Sequence, residues 1–157
     1  GYSSSIFYIT IYVIMNIGIF GCVFLMKKDG KYTEEISDLS GISKKHPLLA
    51  LSFLILLFSL AGIPPLGGFF AKFYVFMSVI EDEMYTLAII GLLTTVISAF
   101  YYLKIIKIIY FDELKEKLDE IKNFNLTSTI FLSCIILVTF FLYPSLLNTI
   151  VSNIFTY

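Results

Sequence analysis

The sequence has little charge, few cysteines and a single histidine, and each of these shortages makes certain kinds of functional site less expected. Only 15% of the 157 residues are charged, compared with about a quarter in an ordinary soluble domain, and 58% are hydrophobic. Its two cysteines and one histidine lie far apart, without the spacing of a metal or redox motif. Phosphate-binding loops, dinucleotide fingerprints and basic patches are also missing. We therefore expect no cofactor, no metal and no nucleic-acid partner on this chain.

Long hydrophobic runs take the place of these motifs. A bilayer core of about 30 Å needs about 20 helical residues, and four runs are long enough. They predict an all-α, polytopic membrane protein with a single membrane domain over residues 1–157, surrounded by membrane lipids. The predicted transmembrane helices cover about residues 4–26, 47–80, 84–110 and 126–143. Short amphipathic segments are expected on the membrane surfaces at residues 32–40, 112–124 and 145–156.

The second run, residues 47–80, is interrupted by Pro64, Pro65, Gly67 and Gly68. Proline removes a backbone donor and glycine tolerates unusual backbone angles, so these residues predict a broken helix. The run is too long for one straight crossing and too short for two crossings with a turn. A single broken crossing and a re-entrant pair are therefore both possible.

The distribution of lysine favours a single broken crossing. All eleven basic residues are lysines, and with one crossing every lysine except Lys72 falls on one face. The acidic turn at residues 81–83 then lies on the opposite face. By the positive-inside rule, the lysine-rich face is cytoplasmic or matrix. The histidine, His46, sits at this boundary, and we interpret it as a solvated residue of the membrane interface.

Lys72 lies within apolar sequence just after the break. One interpretation is a lysine whose long side chain reaches up to the headgroups. The other is a functional site, because broken helices place ion sites in transporters and an ionisable residue in the membrane is usually functional. A desolvated lysine can gain and lose a proton, whereas an arginine cannot. The adjacent break favours a proton site.

Residues 59–69 followed by Lys72-Phe73-Tyr74 closely resemble the broken helix of subunit 2 of proton-pumping NADH:ubiquinone oxidoreductase, respiratory complex I. This subunit belongs to the antiporter-like family of the membrane arm. Three other stretches resemble the same family in the same order. They are residues 8–20, residues 38–47 and residues 98–104.

The resemblance implies that Lys72 is a proton-channel lysine in the outlet half of a proton path, with Tyr101 as a neighbour in that path. It also implies a non-redox subunit of a proton-translocating enzyme, with other membrane-arm subunits as partners. The expected location is the mitochondrial inner membrane, with a bacterial plasma membrane as the alternative.

The family subunit has many more helices than the four expected here. We therefore predict the C-terminal part of a split subunit, whose earlier helices come from a separate polypeptide, or else a truncated chain. Two other functions stay open. One is a structural membrane-arm subunit that does not pump, and the other is a cation/proton antiporter of the same fold.

Overall fold

The computed structural model describes residues 2–115, 118–142, 149 and 153. As predicted, this part of the chain is mostly helical. A short hairpin and two 3₁₀ helices, Ile36–Leu39 and Ile42–Lys44, lie between the first two α-helices. The α-helices are α1 (Tyr2–Leu25), α2 (Pro47–Ala61), α3 (Gly67–Glu81), α4 (Tyr85–Phe111) and α5 (Phe124–Leu142), and the hairpin pairs β1 (Lys27–Lys28) with β2 (Lys31–Tyr32).

The helices form one bundle. α1 packs against α2, α3 and α5, while α2 also packs against α4. The core contains Met15 and Cys22 from α1, Leu56 from α2 and Leu137 from α5, all fully buried. Because each helix pairs its own backbone groups, these apolar segments suit a membrane interior.

The connection after α1 and the connection after α4, which carry most of the lysines, lie together at one end of the bundle, called here the lysine-rich end. The Gly41 N–H donates to the Ile108 carbonyl at 3.0 Å, and the Asp119 N–H donates to the Lys27 carbonyl at 2.8 Å. The segments after α1 and after α4 therefore occupy the same end of the bundle. α4 has 27 residues and is about 40 Å long, so the acidic turn before it lies at the other end. Together α2 and α3 pass once between the two ends, which excludes the re-entrant pair.

Helix length supports fewer crossings than the four that were predicted. Among the described residues, two helices are long and apolar enough to cross a membrane alone, α1 and α4. A third is counted if Ile36–Lys44 and Pro47–Ala61, bent by 119°, are taken as one span. α2 and α3 have 15 residues each. The number of four crossings therefore stays a prediction.

The segment at residues 32–40 differs from the predicted surface helix. Its first residue belongs to β2, and a 3₁₀ helix follows at Ile36–Leu39. Asp29 and Gly30 connect the strands with positive φ angles of 51° and 77°. Asp-Gly is favoured in two-residue hairpin turns, where both residues need positive φ. The hairpin is a small departure from the all-α prediction.

The segment at residues 112–124 also differs from the predicted amphipathic helix. No helical residue occurs at positions 113–115 and 118–123, although Leu118 is buried. The Asp119 carboxylate accepts hydrogen bonds from the N–H groups of Asp29 and Gly30, at 3.0 and 2.8 Å. These bonds hold the segment against the hairpin instead of in a helix. The predicted segment at residues 145–156 lies outside the described residues, except for Thr149 and Asn153.

Candidate functional site

The break between α2 and α3 begins at Gly62. This residue has a left-handed φ of 76°. Its N–H donates to the Ser59 carbonyl, and the Ile63 N–H donates to the Phe58 carbonyl, both at 3.0 Å. This is the Schellman pattern of a helix C-terminus. Pro64 and Pro65, joined by a cis peptide bond, lie inside the break, and Gly67 and Gly68 begin α3.

Lys72 lies one turn into α3 and reaches back to α2. Its Nζ donates to the Leu60 carbonyl at 2.7 Å. In a continuous helix this carbonyl would accept from the residue four positions later, but Pro64 has no N–H. The lysine therefore supplies the donor that the proline lacks. A cation is also favourable at a helix C-terminus, because the helix dipole is negative there.

The path of the Lys72 side chain depends on Gly62. A Cβ atom on Gly62 would lie 3.1 Å from Cδ of Lys72 and 3.6 Å from its Nζ. The glycine therefore serves both the left-handed turn and the close passage of the lysine. Among the described residues, the hydrogen-bond partner recorded for Lys72 is a neutral carbonyl. If Lys72 loses its proton, its partner is still a neutral group, so no unpaired negative charge is left in the membrane.

The residue that sequence reasoning missed is Ser59. Its side chain is fully buried, and its Oγ accepts a hydrogen bond from the Gly68 N–H at 2.9 Å. The same hydroxyl donates to Sδ of Met15 at 3.1 Å. Because the first N–H groups of a helix have no partner within it, Ser59 caps the start of α3. Ser59 falls in the stretch that carries the family resemblance, but no spacing rule links it to Gly68.

Gly68 must be glycine for this contact to exist. A Cβ atom there would overlap the carbonyl oxygen of Ser59 and lie 2.6 Å from its carbonyl carbon. The helices therefore cap each other: α2 provides Ser59 to α3, and α3 provides Lys72 to α2. We call the four residues Ser59, Leu60, Gly68 and Lys72 the reciprocal cap.

Tyr101, the other predicted site residue, is not brought against Lys72. It lies on α4, 59% exposed, and its ring contacts Phe100 with centroids 5.7 Å apart. No hydrogen bond between Tyr101 and Lys72 is recorded in the described part of the chain. Tyr102, the next residue, packs against the core instead. A role for Tyr101 in a proton path stays a prediction.

Among the described residues, no three His, Cys, Asp or Glu side chains lie together in a group that could hold a metal ion. Cys22 and Cys134 are both free and buried. The break with Lys72 is therefore the candidate functional site.

A discontinuous helix with an ionisable residue beside its break is typical of membrane transport proteins that bind ions. Comparisons with known proteins identify the family. Residues 1–98 match the family model described as "NADH:quinone oxidoreductase/Mrp antiporter, TM". The chain belongs to this family, and it is a membrane-embedded protein.

Two relatives are named NADH-quinone oxidoreductase subunit N. The one from Pelagibacter ubique is 56% identical, and the match covers 98% of this chain and 33% of the relative. The one from Parvibaculum lavamentivorans is 46% identical, covering 92% of this chain and 30% of the relative. The chain thus spans about a third of the length of the curated relatives it matches.

A solved structure agrees with these relatives. A chain of respiratory complex I from Thermus thermophilus, determined with bound aureothin, superposes with a TM-score of 0.76 at 26% identity. The match covers 92% of this chain and 33% of that chain. The fold is therefore shared over nearly the whole chain.

Proposed function

We propose that the chain is the C-terminal part of an antiporter-like subunit of proton-pumping NADH:quinone oxidoreductase and forms the outlet half of a proton path. The named relatives support the assignment to subunit N. Subunit 2, the finer assignment that the sequence suggested, stays a prediction. The activity is that of the whole assembly, to which this chain contributes without redox chemistry of its own.

The observation that carries this proposal is the hydrogen bond from Lys72 to Leu60. A charged ammonium donates more strongly than a neutral amine and also interacts favourably with the C-terminus of α2. Loading a proton on Lys72 therefore tightens the reciprocal cap, and releasing the proton loosens it. The protonation state of one side chain thus alters how firmly α3 is held to α2.

Energy for the cycle must come from outside this chain. Moving one charge across 100 mV costs about 2.3 kcal/mol, which a lysine at a helix break cannot supply by itself. Redox reactions in other subunits supply that energy in this proposal. No cofactor is assigned to this chain.

The partners in this proposal are the other membrane-arm subunits and the surrounding lipids. In this proposal, the helices that complete the proton path are not among these 157 residues. A separate polypeptide could supply them. The bacterial relatives favour the plasma membrane. The mitochondrial inner membrane stays the other prediction.

Two substitutions of Lys72 test the proposal in the assembled enzyme. Lys72→Arg keeps a positive donor near Leu60 but cannot release its proton. We expect normal assembly and a loss of proton translocation through this subunit, measured as protons moved per NADH oxidised. Lys72→Met removes both donor and charge, so we expect the same loss together with weaker assembly.

A structural subunit that does not pump is the second candidate, and the capping contact of Lys72 supports it. In that case Lys72→Arg would keep the full ratio of protons to electrons, and Lys72→Met would affect assembly alone. Lys31→Met is the matched control, because Lys31 is an exposed lysine of the hairpin. An independent cation/proton antiporter would instead purify in mild detergent without NADH-oxidising partners.

A further inference from the structure

A second site lies away from Lys72, between α2 and α5. It is a cavity of about 700 Å³ whose walls are mostly aliphatic. Lys72 is not among the residues that line it, so this cavity is separate from the reciprocal cap. The walls include Leu51 and Ile55 from α2 and Ile130, Ile135 and Val138 from α5.

The cavity begins at the lysine-rich end and follows the two helices inward. Its lining extends from Pro47 to Ile55 on α2 and from Thr127 to Leu142 on α5. At 1.5 Å per residue these stretches are about 12 Å and about 22 Å long. One leaflet of a 30 Å bilayer core is about 15 Å deep. The cavity therefore extends nearly through one leaflet along α2 and past the bilayer centre along α5.

Polar groups occur at the mouth of the cavity. Lys45 and His46 line it immediately before α2 begins. Nε2 of His46 is buried and has no hydrogen-bond partner among the described residues. This differs from the solvated histidine that the sequence predicted. Buried polar atoms are nearly always paired, so this ring nitrogen has a hydrogen-bonding capacity that the described residues leave unused.

The charge at the mouth and the aliphatic walls indicate the kind of occupant. A lysine, an unpaired imidazole and the N-terminus of α2 together favour an anion such as a phosphate. A flexible hydrocarbon chain with an anionic headgroup meets both requirements.

We propose that this groove binds an acyl chain of an anionic phospholipid from the lysine-side leaflet, with the phosphate between Lys45 and His46. The lipid covers apolar side chains of α2 and α5 that the described bundle leaves open. The site does not depend on proton translocation by Lys72. The lipid-site proposal can therefore be tested independently of the proposed function.

Photo-crosslinking tests the site in the native assembly. The chain, purified in mild detergent with its partners, is transferred to phosphatidylcholine vesicles that contain a phosphatidylglycerol probe with a photoactivatable acyl chain. A phosphatidylcholine probe with the same chain provides the comparison. We expect peptides covering residues 47–55 and 127–139 to be labelled about fivefold more by the anionic probe, the preference that one lysine gives near a membrane surface.

Substitutions of the two residues proposed to bind the phosphate test whether the lipid headgroup is recognised through its charge. Replacing Lys45 and His46 together with glutamine should reduce the preference for the anionic probe to nearly none. Lys31→Gln, on the same face but outside the cavity lining, should leave it unchanged. Equal labelling by both probes in the unchanged protein would overturn the proposal.

Filling the groove decides whether the acyl chain enters it. Ile135→Trp places a large side chain in the cavity and should reduce labelling by both probes severalfold. Leu132→Trp is the control, because Leu132 is 59% exposed on the same helix and does not line the cavity. If neither probe labels these peptides in the unchanged protein, another part of the assembly fills the groove and the proposal is wrong.

Discussion

The break between α2 and α3 and the lysine-rich end both contain backbone groups outside regular helices, yet they pair those groups differently. At the lysine-rich end, the Asp119 carboxylate binds two N–H groups of a turn that is itself exposed. At the break, the Gly68 N–H is bound by a fully buried serine. The first region can exchange its partner for water, and the second cannot.

This difference predicts where substitution is costly. Leaving a buried donor or acceptor unpaired costs about 1–3 kcal/mol, whereas exposed polar pairs contribute about 0–1 kcal/mol. The reciprocal cap should therefore tolerate little change, while the hairpin contact should tolerate much. Three substitutions test this contrast.

Gly68→Ala should have the largest effect. The added Cβ overlaps the backbone of Ser59, so the break must open and the capping bond is lost. We expect a loss of about 3 kcal/mol or more, which includes the cost of overpacking. The measurement is the midpoint of thermal unfolding of the purified assembly. Gly91→Ala is the control, since among the described residues the added Cβ meets the ring of Phe76, which can move. Equal midpoints for the two variants would contradict the contrast.

Ser59→Ala should have an intermediate effect. It leaves the Gly68 N–H without its capping oxygen in a buried site, and we expect a loss of about 1–3 kcal/mol. Ser133→Ala is a matched control, because Ser133 is also buried but its Oγ donates to Thr129 of its own helix. That carbonyl belongs to a continuous helix, so the control should lose less. Denaturation in detergent compares the two, and a larger loss at Ser133 would refute the capping role.

Asp119→Ala should have the smallest effect on stability, at most about 1 kcal/mol, because water can replace the half-buried carboxylate at the exposed turn of Asp29 and Gly30. Hydrogen exchange at the amides of Asp29 and Gly30 should nevertheless become several times faster. Glu120→Ala, which removes an exposed pair with Lys122 at 3.5 Å, should change neither quantity. If Asp119→Ala lowered the free energy of unfolding as much as Ser59→Ala, the two regions would not differ in the way described.

The sequence was informative where covalent chemistry restricts the backbone. Two prolines cannot donate hydrogen bonds, so the interruption of residues 47–80 followed from residue type alone. The lysine distribution similarly favoured one passage of the bundle, and the contact between Gly41 and Ile108 agrees with it. These inferences did not require knowledge of tertiary packing.

The remaining features depend on tertiary contacts. Ser59 resembles Ser52, yet Ser52 donates to Leu48 within its own helix, whereas Ser59 crosses the break. Only the approach of α3 distinguishes them. The Asp29-Gly30 dipeptide did carry a local turn signal that could have predicted the hairpin. In the segment 112–124, the described residues 113–115 and 118–123 are not helical, and Asp119 instead bonds to that hairpin, a tertiary contact that the local sequence does not show.

The reciprocal cap also has an evolutionary consequence. Position 68 accepts no side chain while the backbone of residue 59 lies against it, and residue 59 needs a hydroxyl only while α3 begins at that point. We therefore expect a change at either position alone to destabilise the break, whereas a change at both can follow a shift of the break. Among homologous sequences, we expect positions 59 and 68 to vary together and to remain constant wherever the lysine is retained.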